Sequence, residues 1–214
     1  MKSALIWGAG GGIGRALVKQ LNDEDWTIYA VSHRPGAQNL KDLTPHVFDA
    51  NVAVPFEVQT VVSSVSQEEE EVDLSIYASG DIVSIKTAEM GPDAWDQIMD
   101  ANLTGAHVTT HYGLPLLAPN AHLVFLGAIR ERLRLPGLGA YAAAKAGLEA
   151  FVDALGKEER KRRVTLVRPA AVDTEFWEKV PFRMPADALS PEVVAQRVLE
   201  AHYQGHKGRL ELSD

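Results

Sequence analysis

Apolar positions along the chain cluster into short β-rich runs separated by longer stretches of helical period. Leu5–Trp7 and Thr27–Val31 predict strands, and the segment between them, Ile13 to Leu21, predicts a helix. His46–Phe48 predicts a third short strand. Val54–Val65 predicts a helix, with Val58, Val61, Val62 and Val65 on one face. Asp73–Tyr77 predicts a strand, Pro92–Met99 the start of a helix with Pro92 in its first turn, and Thr104 to Leu117 a further helix. His122–Leu126 and Val164–Val167 predict strands on either side of a helix over Ala140–Gly156. Pro191–His202 predicts a last helix behind Ser190 as N-cap, and Arg209–Leu212 an edge strand. Strand and helix alternate over the whole length, which implies right-handed βαβ units. The expectation is an α/β protein with a doubly wound parallel sheet between two helical layers, one domain over residues 1–214.

The junction of the first strand and first helix carries the earliest chemical signal. Gly8-Ala9-Gly10-Gly11-Gly12-Ile13-Gly14 fills it, with five glycines in seven residues. Glycines let a backbone turn tightly and approach a pyrophosphate, and a helix N-terminus offers N–H donors with partial positive charge. In this context the run points to a bound dinucleotide rather than to a flexible loop.

Composition narrows the picture. A chain of 214 residues is long enough for one α/β domain with a buried core and short for two. The net charge of −8 argues against a nucleic-acid partner, which needs a basic face. The basic run Lys157–Arg163 sits at a helix end, where the helix dipole favours cations, and the acidic run Glu68–Glu71 reads as a solvated helix end. With no cysteine, disulfides, thiolate catalysis and cysteine metal sites are excluded, and no metal site is predicted. No apolar run approaches the ~20 residues of a membrane helix, so no membrane partner is expected. Met1–Trp7 reads as a strand rather than a signal peptide, and a cytoplasmic location is the expectation.

The spacing Gly8, Gly12, Gly14 resembles the short-chain dehydrogenase/reductase variant of the dinucleotide fingerprint on a Rossmann fold, and the resemblance continues along the chain. Asp49 stands where that family has an aspartate near the adenine ring. Ala78-Ser79-Gly80 takes the place of its Asn-Ala-Gly, with Ala78 for the asparagine. Asn102 in Asn102-Leu103-Thr104-Gly105 matches its active-site asparagine, and Tyr141-Ala142-Ala143-Ala144-Lys145 its Tyr-x-x-x-Lys. Pro169-Ala170-Ala171-Val172-Asp173-Thr174 is similar to its Pro-Gly-x-x-x-Thr segment. The resemblance implies a cofactor cradle formed by Gly8, Gly10, Gly11, Gly12, Ile13, Gly14, Asp49, Ala78, Ser79, Gly80, Pro169, Val172 and Thr174, joined by Tyr141 and Lys145.

The second strand bears on which nicotinamide cofactor is used. An acidic residue at its end would bond the ribose of NAD. The position falls instead on Ser32, followed by His33 and Arg34, and Arg34 suits the 2′-phosphate of NADP. Alternatively, Ser32-His33-Arg34-Pro35 is a surface turn with Arg34 in solvent. NADP is expected over NAD.

Tyr141 and Lys145 lie one helical turn apart and project from one face. A nearby lysine stabilises a phenolate and brings a phenol closer to working pH. By resemblance, Tyr141 is the general acid/base, Lys145 contacts the nicotinamide ribose, and Asn102 holds a water in a proton relay. One member is absent. The family's carbonyl-orienting serine lies thirteen residues before the tyrosine, where this chain has Ala128, and neither Gly127 nor Ile129 supplies a hydroxyl. Ser79 or a substrate group would have to serve instead.

The segment 175–188, with Phe176, Trp177, Phe182 and Met184 among prolines, resembles the family's substrate lid. Its apolar residues either favour a hydrophobic carbonyl substrate or pack the lid against the body. The stripe Leu148, Phe151, Val152, Leu155 is partly core, and by resemblance pairs with a second copy in a homodimer or homotetramer. Two readings follow: an NADP-dependent oxidoreductase acting on a small carbonyl or alcohol, or a dinucleotide-binding protein of the same fold without turnover. A structural module with no ligand leaves the glycine turn without a purpose.

Overall fold

Gly8 follows the first strand and Gly11 caps the first helix, and this strand–turn–helix rhythm recurs along the chain. In the computed structural model, which describes residues 2–33 and 40–213, β1 (Ser3–Trp7) leads into α1 (Gly12–Asp23), followed by β2 (Thr27–Ser32) and β3 (His46–Asp49). Next come α2 (Pro55–Val65), β4 (Val72–Tyr77), α3 (Pro92–Met99) and α4 (Gly105–Gly113). A π-helical segment, Asp100–Thr104, joins the last two. Then follow β5 (Leu117–Leu126), α5 (Gly139–Glu158), β6 (Arg163–Pro169), α6 (Pro191–Tyr203) and β7 (Gly208–Leu212).

The strands form one seven-stranded sheet in the order β3-β2-β1-β4-β5-β6-β7, and every pairing is parallel. Period-two alternation divides its side chains between two helical layers. Leu5 and Trp7 face the layer of α2, α4 and α5, where Val58, Val61, Leu148 and Val152 meet them. Ala4 and Ile6 face α1 and α6, against Leu17, Leu21, Val194 and Val198. Burying each of the larger side chains contributes roughly 1.5–3 kcal/mol. The doubly wound, three-layered α/β architecture is therefore the one that the strand–helix alternation predicts.

The middle of the chain differs from expectation. The helix expected over Thr104 to Leu117 ends at Gly113, and the strand expected from His122 begins at Leu117. Pro115 explains the first difference: inside a helix its ring would clash with the preceding turn, and here it sits in a short 3₁₀ turn, Leu114–Leu116. Arg162 explains the second, since its guanidinium donates to the carbonyls of Leu117 (2.7 Å) and Ala118 (3.0 Å) and holds this entry against the sheet. Val72 pairs with Leu117 while Leu74 pairs with His122, so the strand bulges between them. Arg162 also pairs with Glu159 at 2.7 Å, so the basic run does more than end a helix in solvent.

Strand order reverses between β1 and β4, because the chain winds outward through β2 and β3 and returns to the other side of β1. The register brings the ends of β1, β2 and β4 level, with Trp7 beside both Val31 and Tyr77. A crevice at the carboxyl ends of the strands follows from that reversal.

Candidate active site

The crevice is floored by the glycine turn. Gly8 has φ +83°, and a Cβ there would lie 2.4 Å from the Ser79 nitrogen. A Cβ on Gly14 would lie 2.2 Å from the Gly8 carbonyl oxygen, so neither position admits a side chain. The Gly8 and Ala9 N–H groups both donate to Val31 O at 2.9 Å, tying the turn to β2. α1 starts with no side-chain cap and no acidic residue in its first turn. Its N-terminal amides therefore offer partial positive charge to an anion. A Cβ on Gly12 would lie 2.9 Å from Thr174 Cγ2, so glycine keeps open the gap between the start of α1 and Thr174. Ile13 turns away and packs against the α1–α6 core.

Ser32 ends β2, buried, with its hydroxyl donating to His33 O at 3.3 Å. Asp49 ends β3 beside it in register, and His33 Nδ1 stands 3.6 Å from its carboxylate. Arg34 lies outside the described residues. Ala78 N–H donates to Trp7 O at 2.7 Å, so Ala78-Ser79-Gly80 leaves β4 directly across the glycine turn. The Tyr77 hydroxyl, just before this segment, donates to Ala101 O at 2.8 Å.

Around Gly80 the candidate catalytic groups converge. A Cβ there would lie 2.9 Å from Asn102 Oδ1, 3.6 Å from Phe176 Cζ and 3.7 Å from Lys145 Nζ. Asn102 sits in the π-helical segment and is fully buried. Its amide donates to Asp81 O (2.7 Å) and Ile98 O (2.9 Å), while Oδ1 has no hydrogen-bond partner. An unpartnered buried acceptor is costly, and it suits a donor brought in by a ligand or water. Lys145, buried on α5, donates to Leu126 O at 2.9 Å, and its Nζ stands 5.6 Å from the Tyr141 ring centroid. Burial pushes Lys145 down to about 8. It pushes Tyr141 up, above the ordinary phenol value. That direction is opposite to the sequence expectation, because the lysine turns its ammonium to the end of β5 and desolvation is left to act on the phenol. Tyr141 stands in an apolar cluster with Ile82, Leu138 and Ala144, against which Phe176, Val180 and Phe182 pack.

Ala128 follows β5. Arg168, buried at the end of β6, donates to Ala128 O at 3.3 Å and pairs with Glu131 (2.8 Å) and Glu211 (2.5 Å). This fixes the backbone where the serine was expected and adds no side-chain donor toward Tyr141. Pro169 ends β6, and its carbonyl accepts from Ile129 N–H at 3.3 Å. Val172 forms a bridge with Leu189, and its carbonyl accepts from the Trp177 indole at 2.8 Å. The carboxyl ends of β1, β2, β3, β4 and β6 thus lead to Gly8, Ser32, Asp49, Ala78 and Pro169, and Gly8 meets Ser79, Gly12 meets Thr174, and Gly80 meets Asn102 and Lys145. Asp81, whose carbonyl fixes Asn102, and Arg168 were not foreseen. Among the described residues no cluster of three or more His, Asp or Glu suits a metal ion, and no helix is long and apolar enough to cross a membrane.

Known proteins bear on this geometry. The family model described as short chain dehydrogenase matches residues 2–183. An uncharacterized oxidoreductase of Staphylococcus aureus (strain MRSA252) is 27% identical over 211 residues, spanning 94% of this chain and 90% of that protein. One of Staphylococcus epidermidis (strain ATCC 12228 / FDA PCI 1200) is 27% identical over 215 residues, spanning 94% and 93%. Among solved structures, a short-chain dehydrogenase/reductase from Serratia marcescens superposes with a TM-score of 0.88 at 20% identity, over 99% of this chain and 96% of that one. A 3-ketoacyl-(acyl-carrier-protein) reductase from Brucella melitensis complexed with NADH gives 0.87 at 19% identity, over 98% and 96%.

Proposed function

This chain belongs to the short-chain dehydrogenase/reductase family of NAD(P)-dependent oxidoreductases, and from that premise we propose that it transfers a hydride between NADP(H) and a small, apolar carbonyl or alcohol. The observation that carries the reading is the convergence at Gly80 of a buried unpartnered Asn102 Oδ1 and the Lys145 ammonium, next to Tyr141 and across from the glycine turn.

The residues present fit a dinucleotide: a Cβ at Gly8, Gly12 or Gly14 would meet its neighbours at under 3 Å, and the uncapped start of α1 suits a pyrophosphate. Gly8, Gly10, Gly11, Gly12 and Gly14 would hold the phosphates, and Ser32, His33, Arg34 and Asp49 the adenosine end. Ala78, Ser79, Gly80, Pro169, Val172, Tyr141 and Lys145 would line the nicotinamide end, with Thr174 at its carboxamide. The cofactor supplies or accepts the hydride. Tyr141, kept protonated at neutral pH by its burial, enters reduction as the acid that protonates the nascent alkoxide. Lys145 contacts the nicotinamide ribose, and Asn102 Oδ1 holds a water in the relay that restores the phenol's proton. NADP is preferred because the end of β2 carries Ser32 rather than a carboxylate. The apolar cluster around Tyr141 favours a hydrophobic substrate and excludes water from the proton transfer. Assembly as a homodimer or homotetramer through α5 is part of the same proposal; Leu148, Val152 and Leu155 are spent in the core beneath that helix, so a second copy would meet its outer face.

The test is fluorescence titration with NADPH and NADH, followed by a panel of ketones, aldehydes and quinones under the tighter cofactor, with Tyr141→Phe as control. Tight binding with activity that Tyr141→Phe abolishes is the expected result. Absence of binding by either dinucleotide refutes the proposal. Ala128 favours a second reading, a dinucleotide-binding protein without turnover. Tight binding and no activity on any carbonyl would establish it.

A further inference from the structure

Asp81 does more than follow Gly80 in sequence. Its side chain is mostly buried and gathers three parts of the molecule. One carboxylate oxygen accepts from Ile82 N–H (2.8 Å) and Lys179 Nζ (2.7 Å), the other from Gln97 Nε2 (2.6 Å) on α3. Its backbone carbonyl accepts the Asn102 amide at 2.7 Å. Burial opposes the charge, but the bonds from Lys179, Gln97 and the Ile82 N–H outweigh it and hold the carboxyl below its ordinary value.

Lys179 ends the 3₁₀ turn Glu175–Lys179, and its Nζ stands 5.9 Å from the Phe176 ring centroid. Phe176 is the side chain that reaches Gly80 beside Asn102 and Lys145, and Val180 and Phe182 pack on the Tyr141 cluster. The turn is therefore held by apolar packing over the catalytic groups, by the Trp177 indole on Val172 O and by an ion pair at its rim. A ligand whose reacting end reaches Tyr141, Lys145 and Asn102 enters beside Phe176.

We propose that Asp81 is a positioning residue that latches the 175–188 segment shut through Lys179, so that the latch sets the rate at which dinucleotide enters. This rests on the proposed function above, because it assumes that a dinucleotide is what enters. The Lys179 side chain is half exposed, so the pair has the strength of a surface ion pair, and cutting it changes an opening equilibrium by about threefold. The sign is diagnostic. NADPH is an anion, and removing a cation from the rim would by itself slow its association. Releasing a latch speeds it.

The experiment is stopped-flow association of NADPH with wild type, Lys179→Arg, Lys179→Met and Lys179→Glu, followed by nucleotide fluorescence. Lys179→Met is expected to bind about three times faster than wild type, Lys179→Glu faster still, and Lys179→Arg at the wild-type rate. The ratio is expected to shrink toward one near 1 M salt, where screening reaches about 3 Å. Equal or slower association in Lys179→Met overturns the latch. If wild type binds neither NADPH nor NADH, the proposed function fails, and the latch is read from acrylamide quenching of Trp177 in a Trp95→Phe background. Stronger quenching in Lys179→Met then supports it, and unchanged quenching overturns it.

Discussion

Lowering the pH from 7 to 5 is expected to remove about 3 kcal/mol of folding stability through two buried histidines, His122 on β5 and His202 on α6. Their Nδ1 atoms stand 3.1 Å apart, and His122 Nε2 stands 2.8 Å from Thr165 Oγ1. The Thr165 hydroxyl donates to His206 O at 3.3 Å, so Thr165 accepts from His122 Nε2–H. His122 Nδ1 is then an acceptor, and His202 Nδ1–H is its donor. Burial leads in lowering His122 to about 3, helped by Arg163, His202 and His206. Burial also leads in lowering His202 to about 4, helped by Arg163 and Lys2 and opposed by Asp73. The unfolded chain takes up these protons near the ordinary value of about 6.5, and the folded chain does not. The stabilisation is therefore complete above that pH and is lost as the pH falls toward 4. A full shift of this kind amounts to about 2 kcal/mol per histidine at pH 5, somewhat less for His202, which reaches solvent at 9%. The assay is urea unfolding at pH 7, 6 and 5, comparing wild type with the His122→Asn/His202→Asn double variant. Wild type is expected to lose about 3 kcal/mol more than the variant over that range. Parallel stability curves would refute the reasoning.

Gly12→Val is expected to abolish dinucleotide binding while the protein stays folded, because the Thr174 methyl it meets at 2.9 Å can rotate and a pyrophosphate cannot be accommodated; unchanged NADPH affinity on titration would contradict this. Arg34→Ala is expected to weaken NADPH more than NADH, and equal losses would mean that Arg34 does not read the 2′-phosphate. Ala128→Ser is expected to raise kcat/KM on simple ketones by up to ~10²-fold, the effect of one carbonyl donor, with NADPH affinity unchanged. A fall in activity would point to a substrate shaped around the alanine.

What was legible in the sequence was local. The glycine turn and the Tyr141/Lys145 pair declare themselves within seven and five residues, and strand–helix alternation carries the sheet. Asp81 was not legible because its partners Gln97 and Lys179 lie 16 and 98 residues away, and an aspartate after Gly80 has no periodic signature. Leu114–Leu117 offers an apolar run too short to show either period, so only Pro115 and the reach of Arg162 decide that it turns into a strand. The direction of the Tyr141 shift depends on where the Lys145 ammonium points, which one-turn spacing does not settle.

The π-helical segment makes the site depend on a count of residues as well as on their identity. Such a segment holds an extra residue within an otherwise α-helical rod, and Asn102 faces inward because of it. Loss of a single residue between Asp100 and Thr104 would close the wide turn into uniform α winding and leave the flanking faces of α3 and α4 in register, because the wide turn is what absorbs the extra residue. The orphaned carboxamide oxygen would leave its place beside Gly80 while Ile98 stayed buried. A deletion at this point would thus empty the candidate site and spare the fold around it.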